Sequence, residues 1–295
     1  MPVRNVDPPL SLEASYHLCD GIAREKARNF YYGFRLLERP RRLALSAVYA
    51  FFRAVDDVAD GEASAAIRAR GLNGWRDRLD AALREDPYAL AAAPELPALC
   101  DAVRRYAIPV KCFHDLLDGA IMDLEVDRYE TFEDLYGYCY RVASTVGLVC
   151  VHVFGFDGSD EALQMAEWCG IAFQLTNIMR DVEEDALLGR VYLPQEDLRR
   201  FGLRGDDLTG MQAGLMDKFR GVMALEGARA RSFYLRSAPL VDRIIPQSRG
   251  AFEAMAGIYR GLLDKIERER YAVFGRRVSL SKAAKIGLLL KGLLR

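Results

Sequence analysis

Apolar residues recur at helical spacing through almost the whole of this 295-residue chain, whereas alternating runs of β-branched residues are scarce. Spacings of three and four residues are typical of amphipathic helices, and proline and glycine separate the segments. No fixed-period repeat or low-complexity linker divides the chain. The pattern predicts one all-α domain over residues 1–295, with a basic amphipathic tail at 276–295 and an Ala/Pro-rich connection at Asp86–Pro97. The predicted helices are Leu12–Phe34, Arg41–Asp60, Ile67–Leu83, Lys111–Asp127, Phe132–Phe156, Asp160–Leu187, Gly214–Ser237 and Ile244–Tyr271.

Charge and cysteine content argue against several classes of protein. The formal net charge is −1, so we expect no nucleic-acid partner held by bulk positive charge. The six cysteines form no C-x-x-C pair and only three histidines are present, which favours free thiols in a reducing compartment.

The N-terminus has no secretory signal pattern. The longest apolar stretch, Val146–Phe156, has 11 residues, whereas a bilayer needs about 20. We therefore expect a cytoplasmic protein.

A first acidic cluster lies near the end of the second predicted helix. Asp56 and Asp60 are four residues apart, so their carboxylates project from one helix face about 6 Å apart along the axis. Asp57 borders that face, and Arg53 and Tyr49 precede it on the same stripe. Carboxylates crowded in this way repel one another unless a cation lies between them. Their oxygens suit magnesium, which binds through a few carboxylates together with substrate phosphates.

A second cluster repeats this spacing inside an otherwise apolar helix. Gln174, Asn177, Asp181 and Asp185 follow at steps of three, four and four residues, and the chain then leaves the helix through Arg190–Pro194. Polar groups in such surroundings need a partner or a metal, because unpaired burial costs several kcal/mol. One acidic cluster alone is more often a solvated helix face with local salt bridges. Two clusters of the same spacing favour a shared metal and diphosphate site.

These motifs resemble those of the squalene/phytoene synthase family, the head-to-head prenyl synthases. Tyr49–Asp60 resembles its first aspartate motif, and Gln174–Asp185, continuing to Pro194, resembles its second. Tyr138–Gly147 resembles the segment between them, with Ser144 where the family usually has glycine. The similarity runs from about residue 16 to residue 275. It implies an isoprenoid synthase-type helical bundle around a central cavity, with magnesium or manganese between the aspartates and the diphosphate of the substrate.

The resemblance also implies roles for individual residues. The implied metal-associated residues are Asp56, Asp57, Asp60, Asn177, Asp181 and Asp185. The implied catalytic residues are Tyr49, Arg53, Tyr138, Gln174 and Tyr192, with the tyrosines and Tyr259 in the cavity. The implied substrate-binding residues are Arg28, Asn29, Arg53, Asn177, Arg180, Arg190 and Tyr259. Ala27-Arg28-Asn29-Phe30 stands where many members carry Ser-x-Ser-Phe, so both hydroxyls are absent here.

The function that the resemblance implies is head-to-head condensation of two farnesyl diphosphates. The reaction would pass through presqualene diphosphate to squalene or a related C30 product, as in hopanoid and triterpene biosynthesis, with NADPH needed if the product is reduced. The nearest alternative is a phytoene synthase acting on geranylgeranyl diphosphate. Head-to-tail prenyl elongation, terpene cyclisation and a non-catalytic helical scaffold are further alternatives.

The C-terminal tail at 276–295 carries six basic residues, interleaved with leucines and an isoleucine, and no acidic residue follows Glu269. A basic amphipathic end can lie on an anionic membrane surface, where a lipid substrate and product partition. It can equally be a terminal helix packed on the domain. Peripheral attachment to the inner face of the membrane and simple packing both stay open.

Overall fold

The computed structural model describes residues 8–293, apart from the side chains of residues 28–30, 291 and 293. Within those residues the chain forms fifteen α-helices and no β-strand, which confirms the predicted all-α class. The helices are α1 (Leu12–Lys26), α2 (Arg28–Phe34), α3 (Arg39–Ala59), α4 (Ala65–Leu83), α5 (Pro87–Ala92), α6 (Leu96–Arg105), α7 (Val110–Glu125), α8 (Phe132–Cys139), α9 (Thr145–Phe154), α10 (Asp160–Leu187), α11 (Gln195–Arg200), α12 (Met216–Ser237), α13 (Leu240–Arg243), α14 (Pro246–Arg268) and α15 (Lys282–Leu293).

The helices α5 and α6 correct one prediction from the sequence. The Ala/Pro-rich stretch was expected to be an irregular connection, yet α5 lies inside it and α6 begins there. Pro87 and Pro97 occupy the first turns of these helices, where the missing N–H group has no partner to lose. The Asp86 side chain caps α5 by accepting a hydrogen bond from the Ala89 amide at 2.8 Å. Proline therefore begins these helices rather than separating them.

Helix α10 is the central element of the fold, and it has the bounds that its sequence pattern predicted. Its N-cap, Ser159, accepts a hydrogen bond from the Ala162 amide at 3.3 Å. The helix packs against α9, α12 and α14. Two large groups of buried apolar residues lie in the molecule, and Phe173 of α10 contacts both. The polar stripe of α10 is thus held between two apolar cores.

A π-helical turn at Tyr140–Ser144 joins α8 to α9 and lies against α10. At the closest point, a Cβ on Gly170 would come within 2.5 Å of the Ser144 Cα, so only glycine fits there. The Ser144 hydroxyl donates to the Glu167 carbonyl at 2.8 Å, which fixes this contact. Single π-turns inside helices often occur beside functional sites. Here the turn places Val142 and Ala143 in the wall of a central cavity.

The helices α8 and α9, with the π-turn, form a continuous 23-residue helix, Phe132–Phe154. Its length and mean hydropathy would suffice to cross a bilayer, which the 11-residue apolar stretch did not indicate. The helix packs against α7 and α10, and 44% of its most apolar window is buried inside the molecule. These contacts are those of a core helix.

The described part of the C-terminal tail forms α15, which packs on α14. The two backbones meet at Gly250 and Gly292, where a Cβ on Gly250 would lie only 2.2 Å from the Gly292 carbonyl oxygen. The opposite face of α15 exposes Ile286 and Leu290 to 52% and 55%. The tail is therefore a packed helix that keeps an apolar face outside.

Candidate active site

A cavity of about 360 Å³ lies among α3, α9, α10 and α14. Its wall is mostly apolar, and the lining includes Phe34, Phe154 and Phe252. Asp56 of α3 lines it together with Gln174 and Asn177 of α10. Residues from both of the predicted polar stripes therefore line the same cavity.

The first aspartate cluster divides into three environments. Asp56 lines the cavity, and burial, reinforced by Asp60, Asp57 and Asp123, raises its pKa to about 6 although Arg53 opposes the shift. The Asp57 side chain is 61% exposed and forms an ion pair with Arg53. Asp60 ends α3 as its C-cap residue. Only Asp56 of these carboxylates lines the cavity wall.

The second cluster is bound by arginines from two directions. Arg180 donates to Asp181 through Nε at 2.8 Å. Arg277, which follows α14, donates to both Asp181 oxygens at 3.0 and 3.1 Å. Burial and the neighbouring carboxylates, Asp181 first among them, raise the pKa of Asp185 to about 7. Arg277 was missed at the sequence level because it lies 96 residues from its partner.

Asp123 of α7 was also missed, and it lies between the two clusters. Its carboxylate is 3.1 Å from the Arg190 guanidinium and accepts a hydrogen bond from the Tyr192 hydroxyl. Its charge raises the pKa of both Asp56 and Asp185. Asp127 follows it by four residues, the same spacing as in the two aspartate clusters, and this signal was not used in the sequence prediction.

The four predicted cavity tyrosines form two pairs of different surroundings. Tyr49 and Tyr259 line the cavity, and the Tyr259 ring stacks on Phe173 with centroids 4.2 Å apart. Tyr192 lies beside Asp185 and Arg190 and contacts Tyr138, and the catalytic role of these two tyrosines stays a prediction. Their rings stack at 5.1 Å, and the Tyr138 hydroxyl donates to that of Tyr192 at 3.4 Å. The hydrogen bond that the Tyr192 hydroxyl donates to Asp123 places the two tyrosines beside this carboxylate.

The oxygen atoms of these residues are of the kind that a divalent cation takes as ligands. Among the described residues 8–293, no three His, Cys, Asp or Glu side chains already converge as a metal site. The Asn177 Oδ1 atom is buried and accepts no hydrogen bond from the residues that the structure describes, while Nδ2 of the same side chain donates to Gln174 at 3.4 Å. An unpaired amide oxygen beside repelling carboxylates is the hard oxygen set that magnesium and manganese take.

The predicted phosphate-binding arginines lie around these carboxylates. Arg53 pairs with Asp57, Arg180 with Asp181, and Arg190 with Asp123. The side chains of Arg28 and Asn29 lie outside the described residues, so their predicted role stays a prediction. The arrangement offers anion-binding and metal-binding groups beside an apolar, aromatic-walled space.

Comparison with known proteins places this geometry in a family. The model of the squalene/phytoene synthase family matches residues 23–284. The chain belongs to this family. Squalene/phytoene synthases are prenyltransferases that condense prenyl diphosphates, and this membership supports an enzyme over a non-catalytic scaffold.

Named relatives of the chain are phytoene synthases. The Mycobacterium tuberculosis phytoene synthase is 41% identical over 272 residues, covering 92% of this chain and 87% of that protein. The chloroplastic phytoene synthase 3 of Zea mays is 37% identical over 289 residues, covering 96% of this chain. The chain spans only 66% of the length of the maize protein.

Solved structures of similar fold carry squalene-type names. A dehydrosqualene synthase in complex with a ligand has a TM-score of 0.85 at 28% identity, covering 95% of this chain and 96% of that one. A squalene synthase from Alicyclobacillus acidocaldarius has a TM-score of 0.82 at 28% identity, covering 89% of this chain and 97% of that one. These family members share the isoprenoid synthase-type helical fold.

Proposed function

We propose that this protein joins two farnesyl diphosphates head to head, through presqualene diphosphate, to squalene or a related C30 product. The observation that carries the proposal is the cavity that Asp56, Gln174 and Asn177 line on one side and phenylalanine rings on another. An ionised diphosphate binds beside the polar groups, and its prenyl chain occupies the apolar space.

The residues of this chain have distinct tasks in that reaction. Arg53, Arg180 and Arg190 bind phosphate oxygens and offset the charge that develops when the allylic C–O bond breaks. Bound magnesium or manganese, held by the aspartates and Asn177, supplies further neutralisation of the leaving diphosphate.

The carbocation that remains must be shielded from water until the second prenyl double bond attacks. The apolar wall excludes water, and the stacked Tyr259 and Phe173 rings present π-faces. A cation held over such a face gains about 0.5–2 kcal/mol. Tyr49 lines the same space near Asp56, where it can orient the reacting chain.

The apolar cavity, whose lining includes Phe34, Phe154 and Phe252, is the space in which a C15 chain would lie. The second candidate is a phytoene synthase acting on the C20 substrate, geranylgeranyl diphosphate, and the names of the relatives at 37–41% identity favour it.

The test supplies each diphosphate with magnesium, with and without NADPH, and separates the products by chromatography. A C30 product from C15 supports the first candidate, and a C40 product from C20 alone supports the second. Squalene that forms only with NADPH identifies a reductive second step.

We further propose that the protein is cytoplasmic and docks on the inner face of an anionic membrane through α15. The support is the exposed pair Ile286 and Leu290 within a tail that has basic but no acidic residues after Glu269. Sedimentation with vesicles of phosphatidylserine, compared with phosphatidylcholine, tests this docking. Equal recovery in the supernatant with both vesicles would contradict it, as would unchanged binding of an Ile286→Ser/Leu290→Ser variant.

A further inference from the structure

An open groove of about 400 Å³ lies on the surface where α1, α3 and α6 meet. Its lining combines the apolar side chains of Leu12, Pro40 and Leu43 with the arginines Arg39 and Arg105. It shares no lining residue with the prenyl cavity, so it is a separate site. Apolar groups beside cations suit an anion that also carries an apolar part.

The acidic residues at this groove are paired or lie in water. Glu13 of the lining is 84% exposed and is 3.9 Å from His17. Asp101 accepts a hydrogen bond from the Tyr16 hydroxyl at 2.6 Å and pairs with Arg105 at 3.2 Å. Exposed carboxylates oppose an incoming anion only weakly, because water and salt screen their charge.

Positive charge is concentrated in the segment that begins α3. Residues 35–42 contain four arginines and one glutamate, in a chain whose net charge is −1. Arg41 donates to the Val153 carbonyl at 3.0 Å and so belongs to the packing of the domain. Their charge being unused within the described part of the chain, three arginines are available to an external anion. These three, which form no ion pair or side-chain hydrogen bond there, are Arg35, Arg39 and Arg42.

The arginine segment adjoins the end of α15. A Cβ on Gly292 would lie 3.4 Å from the Leu36 Cδ1 atom, so the end of α15 contacts the turn between α2 and α3. Leu36 directly follows Arg35, and the exposed Leu290 precedes Gly292 by two residues. The free arginines and the apolar face of α15 are therefore neighbours.

Helix α2 is a single layer between the outside of the molecule and the prenyl cavity. Phe34 lines that cavity and is 4% exposed, whereas Tyr32 is 43% exposed. Gly33 lies against α14, since a Cβ there would come within 2.6 Å of the Met255 Cγ atom. Tyrosine is enriched where proteins meet the headgroup layer of a bilayer. A bilayer that rests on α2 would lie one helix away from the space for the prenyl chain.

We propose that the groove, together with Arg35, Arg39 and Arg42, binds the phosphate headgroup of an anionic phospholipid, so that α2 and α15 lie together on the membrane. This inference rests on the proposed docking through α15 and adds a second, electrostatic contact to it. Clusters of four or more basic residues beside an amphipathic helix are typical of anionic lipid recognition. The groove volume is within the range of about 300–1,000 Å³ that small ligands occupy.

The test measures binding of the full-length protein to phosphatidylcholine vesicles that contain increasing phosphatidylserine. Arg35→Gln/Arg39→Gln/Arg42→Gln weakens this binding about a hundredfold, because each arginine near an anionic surface contributes about fivefold. The matched control, Arg70→Gln/Arg200→Gln/Arg268→Gln, removes the same charge from exposed arginines outside the groove. It binds within about threefold of the parent, since distant charges are screened.

A second pair of variants tests the groove itself. Leu12→Glu adds a carboxylate to the lining at a side chain that is 43% exposed, and it weakens binding to phosphatidylserine vesicles about fivefold. Its control is Ile67→Glu, at a 51% exposed position on α4 outside the groove, which leaves binding unchanged. Thermal melting checks that each variant is folded. If the half-buried Arg42 is needed for folding, Arg35→Gln/Arg39→Gln replaces the triple variant, with a loss of about thirtyfold.

A folded triple variant that binds as tightly as the parent would overturn the inference, as would equal losses in the triple variant and its control. A parent protein that does not bind phosphatidylserine vesicles would contradict the membrane docking as a whole. Absence of condensation with either prenyl diphosphate would contradict the proposed reaction and would leave the vesicle measurement unaffected. The three failures are thus distinguishable.

Discussion

The guanidinium of Arg190 lies 3.1 Å from the carboxylate of Asp123. This contact joins α7 to the segment that follows α10. Asp123 also accepts a hydrogen bond from the Tyr192 hydroxyl. One carboxylate thus positions two residues of the second motif while its charge acts on Asp56 and Asp185 in separate helices. It connects the two aspartate clusters electrostatically.

Replacement of Asp123 by asparagine should lower kcat about 100-fold, because Arg190 and Tyr192 lose the charge that positions them. The variant keeps the shape of the side chain, so its thermal melting should stay close to that of the parent. The matched control is Asp118→Asn on the same helix, since Asp118 pairs with Arg76 and is 47% exposed. Equal losses in the two variants would contradict a specific role for Asp123.

Asp56→Ala and Asp181→Ala should each reduce product formation about 100-fold or more, because each removes a carboxylate from the implied metal and diphosphate site. Asp57→Ala should cost less, since its side chain is mostly exposed and pairs with Arg53 outside the cavity lining. The control is Asp217→Ala, a 93% exposed carboxylate on α12. Turnover that is unchanged in the first two variants would contradict the metal assignment.

The polar stripe of α10 could be predicted because its information is local. A spacing of three and four residues defines one helix face whatever the tertiary structure. The partners of Asp123 and Arg277 could not be found in this way, because they come from other parts of the chain. The stacking of Tyr138 on Tyr192 could not be predicted either, since it depends on how α8 meets the segment after α10.

Chelation of divalent cations should abolish condensation, and added magnesium should restore it. Asn177→Ala should raise the magnesium concentration for half-maximal activity about tenfold, because it removes a buried oxygen that has no hydrogen-bond partner among the described residues. Activity measured across a magnesium titration checks both statements. A variant with lower activity but an unchanged magnesium dependence would place Asn177 outside the metal site.

Gly170→Ala should destabilise the protein by about 1–3 kcal/mol, because the new methyl group would meet the Ser144 backbone at 2.5 Å. The matched control is Gly74→Ala within α4, where an added Cβ contacts nothing within 4 Å. That change should stabilise the protein by about 0.5–1 kcal/mol, as alanine favours the helix interior. Thermal or urea melting checks the opposite signs. A Gly170→Ala variant as stable as the parent would contradict the close helix contact.

A buried charge group away from the active site should make stability depend on pH. Glu226 is 1% exposed, and its Oε2 atom has no hydrogen-bond partner within the described part of the chain. Burial raises the Glu226 pKa from 4.5 to about 7 although Arg229 opposes the shift. Arg229 also pairs with Asp197, whose charge raises the Glu226 pKa further.

Because the folded state holds this proton more tightly than the unfolded state, the stabilisation is complete below about pH 4.5 and is lost as pH rises through about 7. The loss should be about 1–3 kcal/mol. Glu226→Gln, which cannot ionise, should remove most of this dependence. Thermal melting of the parent and of Glu226→Gln at pH 5 and pH 8 measures this pH dependence, because all other groups titrate alike in the two proteins. Parallel melting curves for parent and variant at the two pH values would show that Glu226 keeps its charge throughout.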